Sequence, residues 1–206
     1  MGTNNIIVRE YLETLKEDGE LDKIFPLLLN LMGFRIIATP KASKGQPQFG
    51  KDIIAMGKDI DGVKKRFYFE LKGHSDRNIC DTVYSKQDGI RDSLLAAKYA
   101  SFEDSAIPGF NSLPVKIVLV HNGIIKANTR PTFEGFIKQE FPLDGFERWG
   151  IDELTDLFST HLFGEYLLTD ETSIKLFKKT LVLLDVTECD LKDFKELIIK
   201  LLTNEV

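Results

Sequence analysis

The chain has 206 residues, 43% of them hydrophobic and 29% charged, with a formal net charge of −5. That length buries a sizeable core, and that composition is ordinary for a soluble globular protein. No apolar run reaches membrane-spanning length and no basic segment followed by an apolar stretch opens the chain, so no signal peptide and no membrane partner is read, and a cytoplasmic location is the default expectation.

Ile7, Tyr11 and Leu15 recur at four-residue steps, which predicts a short amphipathic helix over 5–17, ended by Asp18-Gly19. A second helix over 21–32 carries Leu21, Ile24, Phe25, Leu28 and Met32 on one stripe, with Asp22 as its N-cap and Gly33 at its stop. Pro26 is tolerated because it falls early in that helix. The β-rich run 34–38 leads through a Lys/Ser/Gly/Pro loop into the stretch 45–73. There the pattern predicts a hairpin: a strand opening on Asp52, a polar turn over 57–62, and a second strand through Phe67-Tyr68-Phe69-Glu70-Leu71-Lys72. Strand alternation puts Tyr68, Glu70 and Lys72 on one face and Phe67, Phe69 and Leu71 on the other. A hairpin can bring Asp52 opposite Glu70 and Lys72, although register is not determined by the pattern.

Beyond Gly73 the periodicity predicts one long helix over 79–102 with Val83, Gln87, Ile90 and Leu94 inward, so that Gln87 is a polar residue in need of a partner. The nearly continuous apolar run 115–120 is typical of a strand buried on both faces. His121-Asn122-Gly123 reads as a turn, 132–141 as a helix, 146–149 as a short strand, and Asp152 as the cap of a helix through Leu162. Two further helices, over 172–184 and 191–203, carry stripes better explained as packing than as chemistry. This order predicts an α/β domain with a central mixed β-sheet flanked by helices over 1–165, and a C-terminal helical extension or linker to a further domain over 166–206.

Cys80 and Cys189 form no CxxC pair and His74, His121 and His161 are scattered, which argues against a structural zinc site. The net charge hides an asymmetry: residues 35–77 hold ten basic and five acidic side chains, +5 within a chain of −5. A positive face on an acidic body suits a meeting with phosphates, and it equally suits lysines that keep loops and strand edges solvated. Lys44 and Lys51 from this segment, with Lys86 and Arg91 from the helix that follows, are the cations assigned to nucleic acid. Asp59 and Asp61 belong to the hairpin turn and are expected to be solvated, as is His74.

A Glu-x-Lys triplet alone carries little information; its position on a strand, next to Gly73 and paired with a strand that begins with Asp, raises it. Leu31-Met32-Gly33-Phe34, then Gly50-Lys51-Asp52, then Tyr68-Phe69-Glu70-Leu71-Lys72-Gly73, a helix carrying Gln87, the strand ending Val118-Leu119-Val120-His121-Asn122-Gly123 and the segment Arg148-Trp149-Gly150-Ile151-Asp152-Glu153-Leu154 together resemble the PD-(D/E)XK nuclease superfamily, and within it the Mrr-like restriction endonucleases. The resemblance covers about residues 20–162. Lys51 stands where the superfamily pattern has Pro.

The resemblance implies a restriction-endonuclease-like core and metal-dependent cleavage of DNA, double-stranded, by a bacterial restriction or antiphage defence effector. Asp52 and Glu70, with the Leu71 carbonyl, would hold Mg²⁺, for which Mn²⁺ can substitute. Lys72 would orient the attacking water and offset transition-state charge, and Gln87 would hydrogen-bond the water, Lys72 or a phosphate. Asp22 occupies the position of an auxiliary acidic residue in Mrr-like relatives, though a helix N-cap explains it as well. Such domains also occur as N-terminal effectors of STAND-type NTPases, which implies homo-oligomers and fusion to a regulatory or sensor domain. The rival expectation is a catalytically silent member that binds nucleic acid or scaffolds a complex; for Asp52, Glu70 and Lys72 the plain alternative is a surface ion-pair cluster.

Overall fold

Five strands form one mixed sheet in the order β1-β2-β3-β4-β5: β1 (Arg35–Ala38), β2 (Ile53–Lys58), β3 (Lys64–Lys72), β4 (Val115–His121) and β5 (Phe146–Trp149). The computed structural model describes residues 3–39, 50–142 and 144–162, with 192, 195 and 196. Lys44 and most of its loop lie outside the described residues. So do the helices expected over 172–184 and 191–203, apart from 192, 195 and 196, which are helical.

Strands β1, β2 and β3 run antiparallel, and β3, β4 and β5 run parallel. The turn over 59–63 joins β2 to β3 as antiparallel neighbours; each parallel step needs a crossover, and helices supply it. Helices α3 (Asp81–Ser85) and α4 (Ile90–Tyr99) lie between β3 and β4, and α5 (Arg130–Glu140) lies between β4 and β5. The fold is thus α/β with a mixed sheet flanked by helices.

Alternation along the strands divides the core in two. Ile53, Ala55, Phe67, Phe69, Leu71, Val118 and Val120 pack against α1 (Thr3–Thr14), α2 (Asp22–Leu31) and α6 (Ile151–His161). Ile54, Met56, Tyr68, Ile117 and Leu119 pack against α3, α4 and α5. Strand β4 is covered on both sides, as its apolar run implies. Phe25, Phe69 and Trp149 meet edge-on or tilted at 5.3–5.9 Å between ring centroids and join α2 to the sheet.

The long helix expected over 79–102 is two helices. A turn over 86–89 separates α3 from α4, with Asp88 at φ 57. A Cβ on Gly89 would lie 2.8 Å from the Val83 carbonyl oxygen and 2.7 Å from that of Lys86, so the chain turns tightly against the end of α3. Asp88-Gly89 is the breaker that the apolar stripe obscured. Val83, Ile90 and Leu94 are buried as expected; Gln87 falls in the turn and is exposed.

Helix α2 begins differently as well. Leu21 stands at its N-cap and Asp22 is its first residue, with no side-chain cap. Before it, Glu17–Leu21 form a wide turn closed by Leu21 N donating to Lys16 O at 2.9 Å, with Gly19 at φ 82. That left-handed residue lets the chain leave α1 and re-enter helix almost at once.

Candidate functional site

Asp52 precedes β2 by one residue, and its N–H already donates to the Phe69 carbonyl at 2.9 Å. The register pairs Ile53 with Phe69, so one step back brings Asp52 against Glu70. Asp52 Oδ2 accepts from the Leu71 N–H at 2.7 Å, which fixes the carboxylate at the end of β3. Glu70 is 3% exposed and its Oε1 lies 2.8 Å from Lys72 Nζ. The same ammonium donates to the Leu71 carbonyl at 3.0 Å.

A third carboxylate completes the cluster, and the sequence pattern did not single it out. Glu17 Oε1 lies 3.5 Å from Lys72 Nζ, while Glu17 Oε2 accepts from Gly73 N at 3.3 Å. Gly73 makes this approach possible: a Cβ there would meet Glu17 N at 2.7 Å. Glu17 lies in the irregular turn, where no helical periodicity marks it. Gly73 directly after the Glu-x-Lys strand was the available signal, since a glycine at a strand end leaves room for another backbone.

The acidic contribution expected from Asp22 therefore comes to Lys72 from Glu17. Asp22 Oδ1 is buried without a hydrogen-bond partner among the described residues. Gln87 does not reach the cluster from an inward helix face, because it sits in the exposed turn between α3 and α4. Of the cations assigned to nucleic acid, Lys86 is exposed and pairs with Asp76 at 2.5 Å, and Arg91 is exposed on the first turn of α4. Lys51 is buried at 6% exposure, its ammonium 5.3 Å from the centre of the Tyr68 ring.

The electrostatics follow from burial and crowding. Burial, and then the neighbouring Glu70 carboxylate, push Asp52 up to about 7 against the opposing pull of the Leu71 N–H and Lys72. Burial also raises Glu17. Burial works against the Lys72 ammonium, but Glu70 and Glu17 more than offset it and hold Lys72 above the ordinary lysine value. Burial lowers Lys51 to about 8, with Glu70 opposing. Three carboxylates thus gather around Lys72, with the Lys51 ammonium acting on Glu70 as well, and Asp52 is the one of the three with no ammonium at contact distance among the described residues.

Several of the described cations counted over 35–77 are spent inside the molecule, while Arg35, Lys58 and Lys64 are exposed. Arg66 donates to the Leu113 and Phe102 carbonyls at 3.1 and 3.0 Å, Arg77 to the Glu13 carbonyl, and Lys65 pairs with Asp59 at 2.5 Å. Asp59 is not solvated: its side chain is 5% exposed and also meets Lys116 Nζ at 2.8 Å. His121, read as part of a turn, ends β4 and is fully buried. Asn122 beside it donates to the Leu12 and Leu15 carbonyls at 2.7 and 2.8 Å and so ties the end of α1 to the end of β4.

Among the described residues no group of three or more His, Cys, Asp or Glu side chains is arranged to hold a metal ion, and no helix is long and apolar enough to cross a membrane. Two carboxylates and a main-chain carbonyl, all hard oxygen donors, nonetheless lie together where Lys72 Nζ touches Glu70 and Leu71 and Asp52 meets the Leu71 N–H. That donor set fits a small divalent cation. Compared with protein-family models, with curated proteins and with solved structures, the chain gives no match.

Proposed function

We propose that the chain is a Mg²⁺-dependent DNA endonuclease with a restriction-endonuclease-like core, of the PD-(D/E)XK type and Mrr-like within it. The observation that carries this reading is the convergence of Asp52, Glu70, Leu71 O and Lys72 at one end of the sheet, with the buried Asp52 carboxylate in contact with no ammonium among the described residues. A purely structural ion-pair cluster has no reason to keep such a carboxylate.

Asp52, Glu70 and the Leu71 carbonyl would hold the Mg²⁺, with Mn²⁺ able to substitute. Bound there, the ion supplies Lewis-acid polarisation of the scissile phosphate and charge neutralisation at the leaving oxygen. The remaining work belongs to the chain. Lys72, kept protonated by Glu70 and Glu17, holds a fixed positive charge beside the reacting phosphate and donates to the attacking water rather than taking its proton. Glu17 orients Lys72 and, through Gly73 N, the end of β3.

The test is nicking of supercoiled plasmid in Mg²⁺. The unsubstituted chain converts supercoiled to open circular DNA, and Asp52→Ala, Glu70→Ala and Lys72→Ala each stop the conversion with unchanged circular dichroism. Normal cleavage by all three variants sinks the reading. The binding-only alternative predicts retention of DNA with no heat of Mg²⁺ binding to the protein–DNA complex, so titration calorimetry separates the two. Defence context, homo-oligomers and fusion to a sensor domain belong to this proposal on the strength of the resemblance alone; cleavage that rises with protein assembly in size-resolved fractions would support them.

A further inference from the structure

The carboxyl end of the sheet holds a second polar array, two strands away from Glu70. The β3/β4 register pairs Glu70 with Leu119, and the β4/β5 register pairs Leu119 with Arg148. Glu70, Leu119 and Arg148 therefore form one lateral row. They face the same side, since Leu119 and Phe146 pack with Tyr68 in the core under α3, α4 and α5. Adjacent strands lie about 4.8 Å apart, so the Arg148 backbone is roughly 10 Å from that of Glu70 along the row.

Three features hold the guanidinium. Arg148 Nη1 meets His121 Nε2 at 3.1 Å, and the other ring nitrogen, Nδ1, faces the Arg77 carbonyl at 2.9 Å. An arginine only donates and a carbonyl only accepts, so Nε2 is the acceptor and Nδ1 carries the hydrogen. Burial favours the same neutral ring, lowering His121 to about 4. Gly150 leaves the space: a Cβ there would lie 2.5 Å from Arg148 Nη1, at an ordinary φ of −87. Glu153 Oε1 touches Arg148 Nη2 at 3.5 Å, while its other oxygen accepts from Gly150 N at 3.0 Å. The arginine side chain stays 27% exposed, and a guanidinium has five N–H donors to offer.

A fully buried neutral histidine is a costly way to fill a strand end unless its acceptor is used. Its acceptor is used on one partly exposed arginine. We propose that Arg148, positioned by His121 and by the gap at Gly150, contacts a DNA backbone phosphate two or three nucleotides from the one that is cut. The spacing suits this: along one strand of B-DNA the axial rise is about 3.4 Å per nucleotide, so a row of roughly 10 Å spans two or three nucleotides. Arg148 is thus a substrate-binding residue and His121 a positioning residue. The inference rests on the nuclease reading for which phosphate is cut, but not for the contact itself.

Binding of a fluorescein-labelled mixed-sequence duplex, measured in EDTA over a range of KCl, tests it without cleavage. Arg148→Ala weakens binding about tenfold at 100 mM salt and lowers the slope of log K against log salt by about 0.9, one phosphate contact. Arg148→Lys recovers the slope. Gly150→Ala, which needs no change of backbone, weakens binding with an unchanged melting temperature. His121→Leu weakens it as well, and His121→Gln, which can donate to Arg77 O and accept from Arg148, restores it. Arg148→Ala with the affinity and slope of the unsubstituted chain overturns the inference. A chain that binds duplex with this arginine-dependent slope yet fails to nick plasmid in Mg²⁺ upholds the inference and removes the nuclease reading; a chain that binds no duplex overturns the inference outright.

Discussion

Both ends of the β2–β3 hairpin carry carboxylates and lysines, and the two ends are built to opposite purposes. At the turn, Asp59 meets Lys65 at 2.5 Å and Lys116 at 2.8 Å, Asp61 meets Lys65 at 2.7 Å, and Glu147 meets Lys116 at 3.0 Å. Each carboxylate has an ammonium at contact distance. Although burial opposes it, hydrogen bonds from Lys116 and Lys65 hold Asp59 down to about 2. At the other end Asp52, Glu70 and Glu17 surround Lys72, and Asp52 is pushed up to about 7. Pairing makes the turn a clasp; at the strand end Asp52 has no ammonium at contact distance among the described residues, and its charge is left to the Leu71 N–H. The residue types alone do not distinguish the two, whereas the presence or absence of an ammonium in contact with each carboxylate does.

Substitutions at the two ends should therefore separate activity from stability. Beyond the residues that would hold the metal and Lys72 itself, the largest effect is expected at the residue periodicity did not mark: Glu17→Gln lowers plasmid nicking by about tenfold to a hundredfold, while Asp22→Asn stays within about twofold of the unsubstituted chain. Equal losses in a gel assay of both variants would show that the carboxylate at Lys72 has no special role. Asp59→Ala should act in the reverse sense, costing about 2 kcal/mol in urea unfolding at pH 7 with nicking per folded molecule unchanged. Because the Asp59 pKa is depressed, its contribution is present above the ordinary aspartate value and is lost as pH falls toward about 2, so the difference between variant and parent should shrink in acid.

Asp52→Asn reads the strand end from the other side. A raised folded-state pKa means that the parent is favoured at low pH and loses stability as pH climbs from about 4 through about 7. The amide does not titrate, so the variant should match the parent near pH 4 and exceed it at pH 8 by on the order of 1–3 kcal/mol, while nicking is lost. A constant difference across that range would contradict the crowding of Asp52 and Glu70. The smallest effect belongs to Gln87→Ala: exposed in the α3–α4 turn, it should alter unfolding by less than about 0.5 kcal/mol and cleavage by less than twofold.

Much of the fold is legible in the residues because each element answers to local chemistry. The alternation of Phe67, Phe69 and Leu71 with Tyr68, Glu70 and Lys72 can be satisfied only by a strand with two different faces, and the sheet supplies them. The unbroken run of β4 requires cover on both sides, and helices provide it. The break at Asp88-Gly89 was legible too, but the apolar stripe through Val83, Ile90 and Leu94 persists across it, because two short helices on one surface bury the same face. Glu17, His121 and Arg148 were not legible in their roles. Their partners, Lys72, Arg77 O and one another, lie dozens of residues away in the chain, and no periodicity reports a pairing at that separation.

The sequence by itself determined the alternation of strands and helices, the hairpin, and which of its side chains share a face, since these depend on steric and hydrophobic preferences over a few residues. Only the tertiary structure decided that Asp52 lies against Glu70, that Glu17 rather than Asp22 reaches Lys72, and that each carboxylate of the turn meets an ammonium while Asp52 at the strand end meets none among the described residues. Register and charge balance are properties of neighbours in space, and a shift of one residue along β2 would have turned Asp52 to the opposite face of the sheet.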